Sequence, residues 1–456
     1  MPAYLSTDAS QPSIPLTTVR VAESESWLSE QNRYLQGVAR SQNFGKHSGA
    51  FFCNYSQEGQ LQQVVLTVAD DLDPFVIGKA IRQLPKAYYH IDNPDQSVQE
   101  MMILAWGFAT YDFDRYRKAN QKLATLVIDD SDRFRSQLSQ VRATVKVRDL
   151  INTPADDMGP TELTVEVQDM AEMYGARFRK IVGDDLLTEN FPSIHIVGRA
   201  SHKAPRLLEM EWGNSNDPQL ILVGKGVCFD TGGNNMKPAQ FMKTMKKDMG
   251  GAAHVIGLAQ MIMDHQLPVH LRVLIPTVEN AVAGNAYRQG DIVTTRSGKS
   301  VEIGHTDAEG RVILADALTY AGEHEPAMII DFATLTGAAR VALGPDVPPL
   351  FCSDDKLSAE ILASGESVHD LLWPMPLYQP YLKYIKPQLA DLNNSASIPQ
   401  GGCITAALFL QQFVPADIPW VHIDTFGWSY GSRTGGIEGG EALGMRAVFD
   451  WIKNNY

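Results

Sequence analysis

Cysteine is scarce in this chain, four in 456 residues, and Cys53, Cys228, Cys352 and Cys403 stand singly with no CxxC pair. That spacing supplies neither a disulfide framework nor a thiolate zinc site, so each reads as a small buried hydrophobe. Long apolar runs are missing too. None approaches the roughly 18 residues of a membrane-spanning helix, and the start, MPAYLSTDASQPSIPLTTVR, has neither a basic flank nor an apolar core. The expectation is a globular, cytoplasmic protein without a membrane partner. Positive charge is in deficit: a formal net charge of −14 opposes nonspecific attraction to nucleic acid or anionic lipid. HExxH is absent, which leaves a mononuclear zincin unsupported, and so is the Walker pattern GxxxxGK followed by Ser or Thr.

What is present is apolar and alternating. With 44% hydrophobic and 20% charged residues, the chain is long enough for two or three domains with real cores. Residues 49–130 alternate β-like runs (GAFFCNYS, QLQQVVLTVAD, KLATLVIDD) with amphipathic stretches such as SVQEMMILAWGFATYDFDRYR. The spacing predicts an N-terminal α/β domain over 1–130. A connecting helix and linker over 131–154, SDRFRSQLSQVRATVKVRDLI, ends at the breakers of NTPADDMGP. A larger domain then covers 155–456. Its strands, PQLILVGKGV, VHLRVLIPTVEN, AMIIDFATL and WVHIDTFG, are apolar enough to be covered on both faces of a mixed, mostly parallel sheet flanked by helices. One of those helices is expected in MKTMKKDMGGAAHVIGLAQMIMDHQ. Near the C-terminus, residues 431–444 form the one conspicuous glycine-rich loop.

Chemistry concentrates in two stretches. In VGKGVCFDTGGNNMKP, residues 223–238, an apolar strand breaks into glycines and carries Lys225, Asp230 and Lys237, with Asp248 following in KKDMGG. Strand ends that open into loops are where open α/β sheets bind ligands. In GHTDAEGRVILADAL, residues 304–318, period-two geometry points Asp307 and Glu309 to one side of an extended segment. Burying Asp230, Asp248, Asp307 and Glu309 together is prohibitive unless the charge is compensated, and a pair of divalent cations compensates it. Blander readings compete at each point. A DxE pair taken alone is a solvated loop, GKG could be a phosphate nest, and Lys243, Lys246 and Lys247 read as the solvated face of a helix. His254 reads as a packed helix residue.

These stretches resemble the signature segments of the leucyl aminopeptidase family, the dinuclear M17 metallo-exopeptidases, whose hallmark is NTDAEGR before a leucine- and alanine-rich helix. The similarity continues through NTPADDMGP, GKGVCFDTGG, MKKDMGGAAH, DFATLTGAA and GGCITAALFLQQFV, in order, over about 145–428. The resemblance implies metal ligands at Lys225, Asp230, Asp248, Asp307 and Glu309, with Asp230 and Glu309 bridging. Lys225 must then ligate as a neutral amine, although a free lysine keeps its proton to about pH 10.4. Carboxylates with one amine and no thiolate suit two divalent ions, zinc or manganese foremost, with cobalt and magnesium also compatible. A water shared by the metals would attack the peptide carbonyl, and capture of the free α-amine would confine cleavage to the N-terminus.

The same resemblance gives Lys237 to the tetrahedral oxyanion and Arg311, at the start of the helix VILADALTYAGEHE, to a bicarbonate serving as general base. The alternative for Arg311 is a structural salt bridge to one of the acids. His305 stands where the family commonly has asparagine, either as an added ligand or proton carrier or, as the complete ligand set favours, as a hydrogen bonder behind it. Met245 and Thr334, Leu335 and Gly337 match positions lining the pocket for the first side chain, Met245 being otherwise plain core. Leucine preference and assembly as a homohexamer are further implications. Two other readings stand beside the peptidase: a two-metal phosphohydrolase, and a DNA-binding or scaffold role that the acidic balance disfavours.

Overall fold

Runs of β-branched and aromatic residues broken by turn residues set the sheets, and the helices that follow them carry the covering apolar faces. The computed structural model describes residues 4–117, 122–128, 131–431, 433 and 438–456. The chain divides into two compact units, 1–145 with 429–438 and 146–428 with 439–456. The division falls inside the helix Arg135–Asn152, which forms most of the stretch expected to be a connecting helix.

The smaller unit is a six-stranded sheet in the order Leu5–Ser6, Thr125–Val127, Tyr88–Asp92, Ile14–Arg20, Leu61–Val68 and Phe51–Tyr55. All its pairs are parallel except the last, whose strands share a short reversal. The helix Gln96–Ala109 opens with Asp95 accepting from the Ser97 N–H at 2.9 Å, and buries Val98, Met102 and Trp106. It stops before the polar TYDFDRYR end of its stretch. Trp106 Nε1 donates to the Ala124 carbonyl at 3.1 Å, so the largest buried ring leaves no donor unpaired.

The larger unit holds a nine-stranded sheet. Its path runs Trp373–Pro374, Pro349–Cys352, Trp420–Asp424, Met328–Ala333, Gln219–Gly224, His270–Asn280, Arg206–Trp212 and Arg177–Val182, with Gly226–Asp230 pairing further along His270–Asn280. The central strands Trp420–Asp424, Met328–Ala333, Gln219–Gly224 and His270–Asn280 are mutually parallel, and antiparallel pairs flank them. The sheet is therefore mixed and mostly parallel. Alternation along the strands separates its faces: Ile221, Val223, Ile329 and Trp420 pack with Val312, Ile313 and Leu314 of the helix Glu309–Gly322. Phe332 points the other way and stacks on His254 of the helix Gly250–Asp264, centroids 5.4 Å apart. His254 is fully buried, its Nδ1 paired with the Gly250 carbonyl and its Nε2 with the Leu443 N–H, as a packed helix residue would be.

Two local expectations are corrected. The stretch 242–266 is not one helix: a short helical turn Ala239–Met242 and a 3-10 segment Met245–Met249 precede Gly250–Asp264, and Gly251 lies where a Cβ would meet the Phe332 carbonyl oxygen at 2.1 Å. The helix expected from residue 312 begins three residues earlier, at Glu309. Among the described residues no helix is long and apolar enough to cross a membrane, and the four cysteines are unpaired. Of the glycine-rich loop, residues 432 and 434–437 lie outside the described residues.

Candidate metal centre

The parallel strands deliver their C-terminal ends to one place. Gln219–Gly224 leads into Lys225, Gly226–Asp230 ends on Asp230, and Met328–Ala333 leads into Thr334. The turn before the helix Glu309–Gly322 brings Asp307 and Glu309 to the same edge. Asp307 and Glu309 do not lie on an extended segment: Asp307 sits in a turn and Glu309 is the first helical residue. A turn feeding a helix also converges residues two apart, so the pairing stands on different geometry from that expected.

Small polar groups lock the two signature stretches together. Thr306 Oγ1 donates to the Gly232 carbonyl at 2.6 Å and accepts from the Asn235 N–H at 2.7 Å, while Asn235 Oδ1 accepts from the Thr306 N–H at 2.9 Å. Asn280, the last residue of its strand, donates from Nδ2 to Asp230 Oδ1 at 2.8 Å and to the Thr306 carbonyl at 3.0 Å. Asn394 Oδ1 accepts from the Gly304 and His305 N–H groups, and its Nδ2 donates to the carbonyls of His305 and Ala308. Gly310 is a glycine for a steric reason: a Cβ there would lie 2.5 Å from Lys225 Cε.

Within this frame the five expected ligands and Lys237 meet. Lys225 Nζ lies 2.8 Å from Asp248 Oδ2 and 2.9 Å from Glu309 Oε1, and donates to the Thr334 carbonyl at 3.0 Å. Lys237 Nζ lies 2.8 Å from Asp230 Oδ2 and 2.5 Å from Asp307 Oδ1. Asp230, Asp307 and Glu309 each offer an oxygen within 4.8 Å of the others. Glu309 Oε2 is buried with no hydrogen-bond partner among the described residues.

The charges are strained accordingly. Burial, then the Asp230 carboxylate, pushes Glu309 up to about 8. The same two causes push Asp307 up to about 6. Burial disfavours the Lys225 ammonium, but Asp248, Glu309 and Asp230 outweigh it and hold the group above its ordinary value. Lys237 is raised in the same way, burial being overcome by Asp230 and its neighbours. Clustered acids held partly protonated, with an orphaned carboxylate oxygen among them, fit the demands of divalent cations.

Arg311 is buried on the first turn of its helix, which no side chain caps, and its Nε has no hydrogen-bond partner among the described residues. Burial lowers it to about 10 while Glu309 and Asp424 favour its charge. Asp424, which the sequence reading passed over, accepts from the Leu335 and Thr336 N–H groups at 2.9 and 3.1 Å and from Thr336 Oγ1 at 2.5 Å. It fixes the turn that carries Thr334, Leu335 and Gly337. Thr334 Oγ1 donates to Asp248 Oδ1 at 2.8 Å, Leu335 packs against the sheet core, and Gly337 opens a short exposed helix. Met245 is buried at the start of the 3-10 segment.

His305 is largely exposed, and its Nδ1 accepts from the Asp307 N–H at 3.2 Å, so it touches a ligand's backbone. Burial and Lys237 favour its neutral form. Lys247 is a correction. Assigned from sequence to a solvated helix face, it is 2% exposed, because the 3-10 turn rotates it inward; Lys243 alone is exposed, and Lys246 reaches the Asn152 carbonyl at 2.5 Å.

A buried carboxylate cluster at the strand ends of a mixed α/β sheet is where an enzyme of this architecture could hold divalent cations. The chain belongs to the cytosol aminopeptidase family: the family's catalytic-domain model matches residues 145–449, and the model of the M17 aminopeptidase N-terminal domain matches 14–129. A probable cytosol aminopeptidase of Syntrophotalea carbinolica is 39% identical over 377 residues, covering 78% of this chain and 75% of that protein. The crystal structure of the cytosol aminopeptidase from Coxiella burnetii superposes with a TM-score of 0.94 at 43% identity, covering 99% of both chains. The bottromycin maturation enzyme BotP, solved in complex with Mn, gives a TM-score of 0.86 at 28% identity over 97% of this chain and 99% of its own.

Proposed function

We propose that the chain is a dinuclear aminopeptidase of the leucyl type, releasing N-terminal residues from peptides with a free amine. The observation that carries this is the convergence of five potential ligands, one of them a lysine, around an unpartnered buried carboxylate oxygen. Lys225, Asp230, Asp248, Asp307 and Glu309 would hold two divalent ions, and the Mn bound by BotP supports manganese as one choice beside zinc. When bound, the ions supply Lewis acidity, lowering the pKa of water and polarising a carbonyl.

The chain's own residues do the rest. Two of its lysines have opposite duties: Lys225 gives up a proton to become a ligand, whereas Lys237 keeps its charge and offers an N–H to the oxygen that gains charge in the transition state. Arg311, with an unpartnered buried Nε beside an uncapped helix start, is placed to hold a small oxyanion such as bicarbonate, which would take the proton of the attacking water. Met245 and the Thr334–Gly337 turn would border the first side chain. A cytoplasmic homohexamer belongs to the same proposal.

The test compares leucine p-nitroanilide with its N-acetyl form, using chelator-stripped protein restored with Mn2+ or Zn2+. Metal-dependent cleavage of the free-amine substrate alone is the expected result; equal cleavage of both, or none of either, would remove the exopeptidase reading. His305→Asn is expected to keep activity within about tenfold, since the ring touches only the backbone of a ligand, and to shift metal preference or pH optimum. Profiles unchanged in both respects would mean that His305 takes no part in tuning the site.

A further inference from the structure

Lys247 is the feature the mechanism leaves unused. Its side chain is 2% exposed, and among the described residues its Nζ makes no hydrogen bond and no ion pair, while burial and Arg340 lower it to about 7. The adjacent carboxylate, Asp248, is already engaged through Oδ2 with Lys225 and through Oδ1 with Thr334. What Lys247 does meet is the ring of Phe426, 4.9 Å from Nζ to the centroid. Arg340 lies over the same ring at 4.5 Å and donates to the Thr336 carbonyl at 2.8 Å. Phe426 itself is 6% exposed, two residues beyond the strand Trp420–Asp424.

A ring face offsets only part of the cost of burying an ammonium, and a second cation beside it adds repulsion. An anion beside Lys247 Nζ would offset both costs and keep that group charged. The three residues sit on the segments that border the proposed first side chain: Lys247 is two residues from Met245, Arg340 three from Gly337, and Phe426 one from Gly427, which packs beside Thr334. A Cβ on Gly427 would lie 3.4 Å from Thr334 Cγ2, so the Phe426 turn and the Thr334 turn meet directly.

We propose that Lys247, backed by Phe426 and Arg340, forms a carboxylate subsite that selects peptides beginning with an acidic residue. This rests on the aminopeptidase reading and deepens it by naming the substrate class. The carboxylate of an N-terminal Glu or Asp would pair with Lys247 in a setting screened from water, where a charged hydrogen bond counts for more than at the surface. An apolar first residue would leave the ammonium without a partner.

The experiment measures kcat/KM of the Mn2+-restored enzyme for the p-nitroanilides of Glu, Gln, Asp, Asn and Leu. Glu and Gln match in shape and differ in charge, so their ratio reads the subsite without any variant. The expected result is a preference of about tenfold or more for Glu over Gln, with Asp over Asn in the same direction, falling toward parity in Lys247→Met and partly in Arg340→Gln. Gln equal to or better than Glu in the wild-type enzyme overturns the proposal, as does a Glu preference that survives in a folded Lys247→Met. Cleavage of the Leu compound separates these outcomes from failure of the aminopeptidase reading, in which no free-amine substrate would turn over.

Discussion

Glu309→Gln is expected to lower kcat/KM for leucine p-nitroanilide by about a thousandfold, roughly 4 kcal/mol of lost transition-state stabilisation, while leaving the metal-free protein no less stable. Glutamine keeps the shape of a side chain that is 1% exposed, but it replaces an anionic donor with a neutral amide. The stability half follows from the sign of the pKa shift. Burial and Asp230 raise Glu309 from 4.5 to about 8, so the folded protein binds this proton more tightly than the unfolded chain does. The metal-free fold therefore loses stability as pH rises from about 4.5 through about 8, and glutamine, which cannot ionise, does not share that loss.

Denaturant unfolding of chelator-stripped protein should show the variant matching its parent at pH 5 and exceeding it at pH 9. Metal analysis of the restored variant should show less than two ions per chain. A variant that keeps both ions and full turnover would remove Glu309 from the ligand set. One destabilised equally at both pH values would show that Glu309 is ionised throughout.

Much of this centre was legible in the sequence because its charged residues cluster in two short stretches, and burying several acids together has few chemical solutions. Lys225 and Lys237 were visible for the same reason. Asn280, Asn394 and Asp424 were not, since each is a single polar residue at the end of a strand or in a loop, with no spacing that marks its partner. The pairing of Asp307 with Glu309 was expected on a strand and occurs at a turn entering a helix, because a two-residue interval fits both. Lys247 was misplaced when a helical period was extended through a 3-10 segment, where three residues per turn carry the side chain to another face. In the sheet the apolar runs were long and bounded by breakers, and the expected strands appear with their ends moved, except PQLILVGKGV, which breaks at Lys225 into Gln219–Gly224 and the start of Gly226–Asp230.

Lys225→Met should act on stability in the opposite sense from Glu309→Gln. The Lys225 ammonium is 2% exposed and faces Asp248 at 2.8 Å and Glu309 at 2.9 Å, so it compensates the buried Asp248 carboxylate, and Glu309 as well once that carboxyl ionises above about pH 8. Removing one partner from a buried ion cluster costs about 3–5 kcal/mol, because the remaining charges lose their compensation without regaining water. Metal-free Lys225→Met should therefore unfold at markedly lower denaturant than its parent, and added Mn2+ should recover part of the loss by supplying the missing positive charge. The same lysine makes metal uptake a proton-releasing event: its ammonium must lose a proton before the nitrogen can ligate. At pH 9 Glu309 is already largely ionised, so the proton released there is that of Lys225. Titration calorimetry in two buffers of different ionisation enthalpy counts it: about one more proton per chain is expected from the parent than from Lys225→Arg, which keeps the charge that lowers Glu309 but has no proton to give up. Equal counts would mean that Lys225 remains an ammonium beside the metals and acts as a counter-charge rather than a ligand.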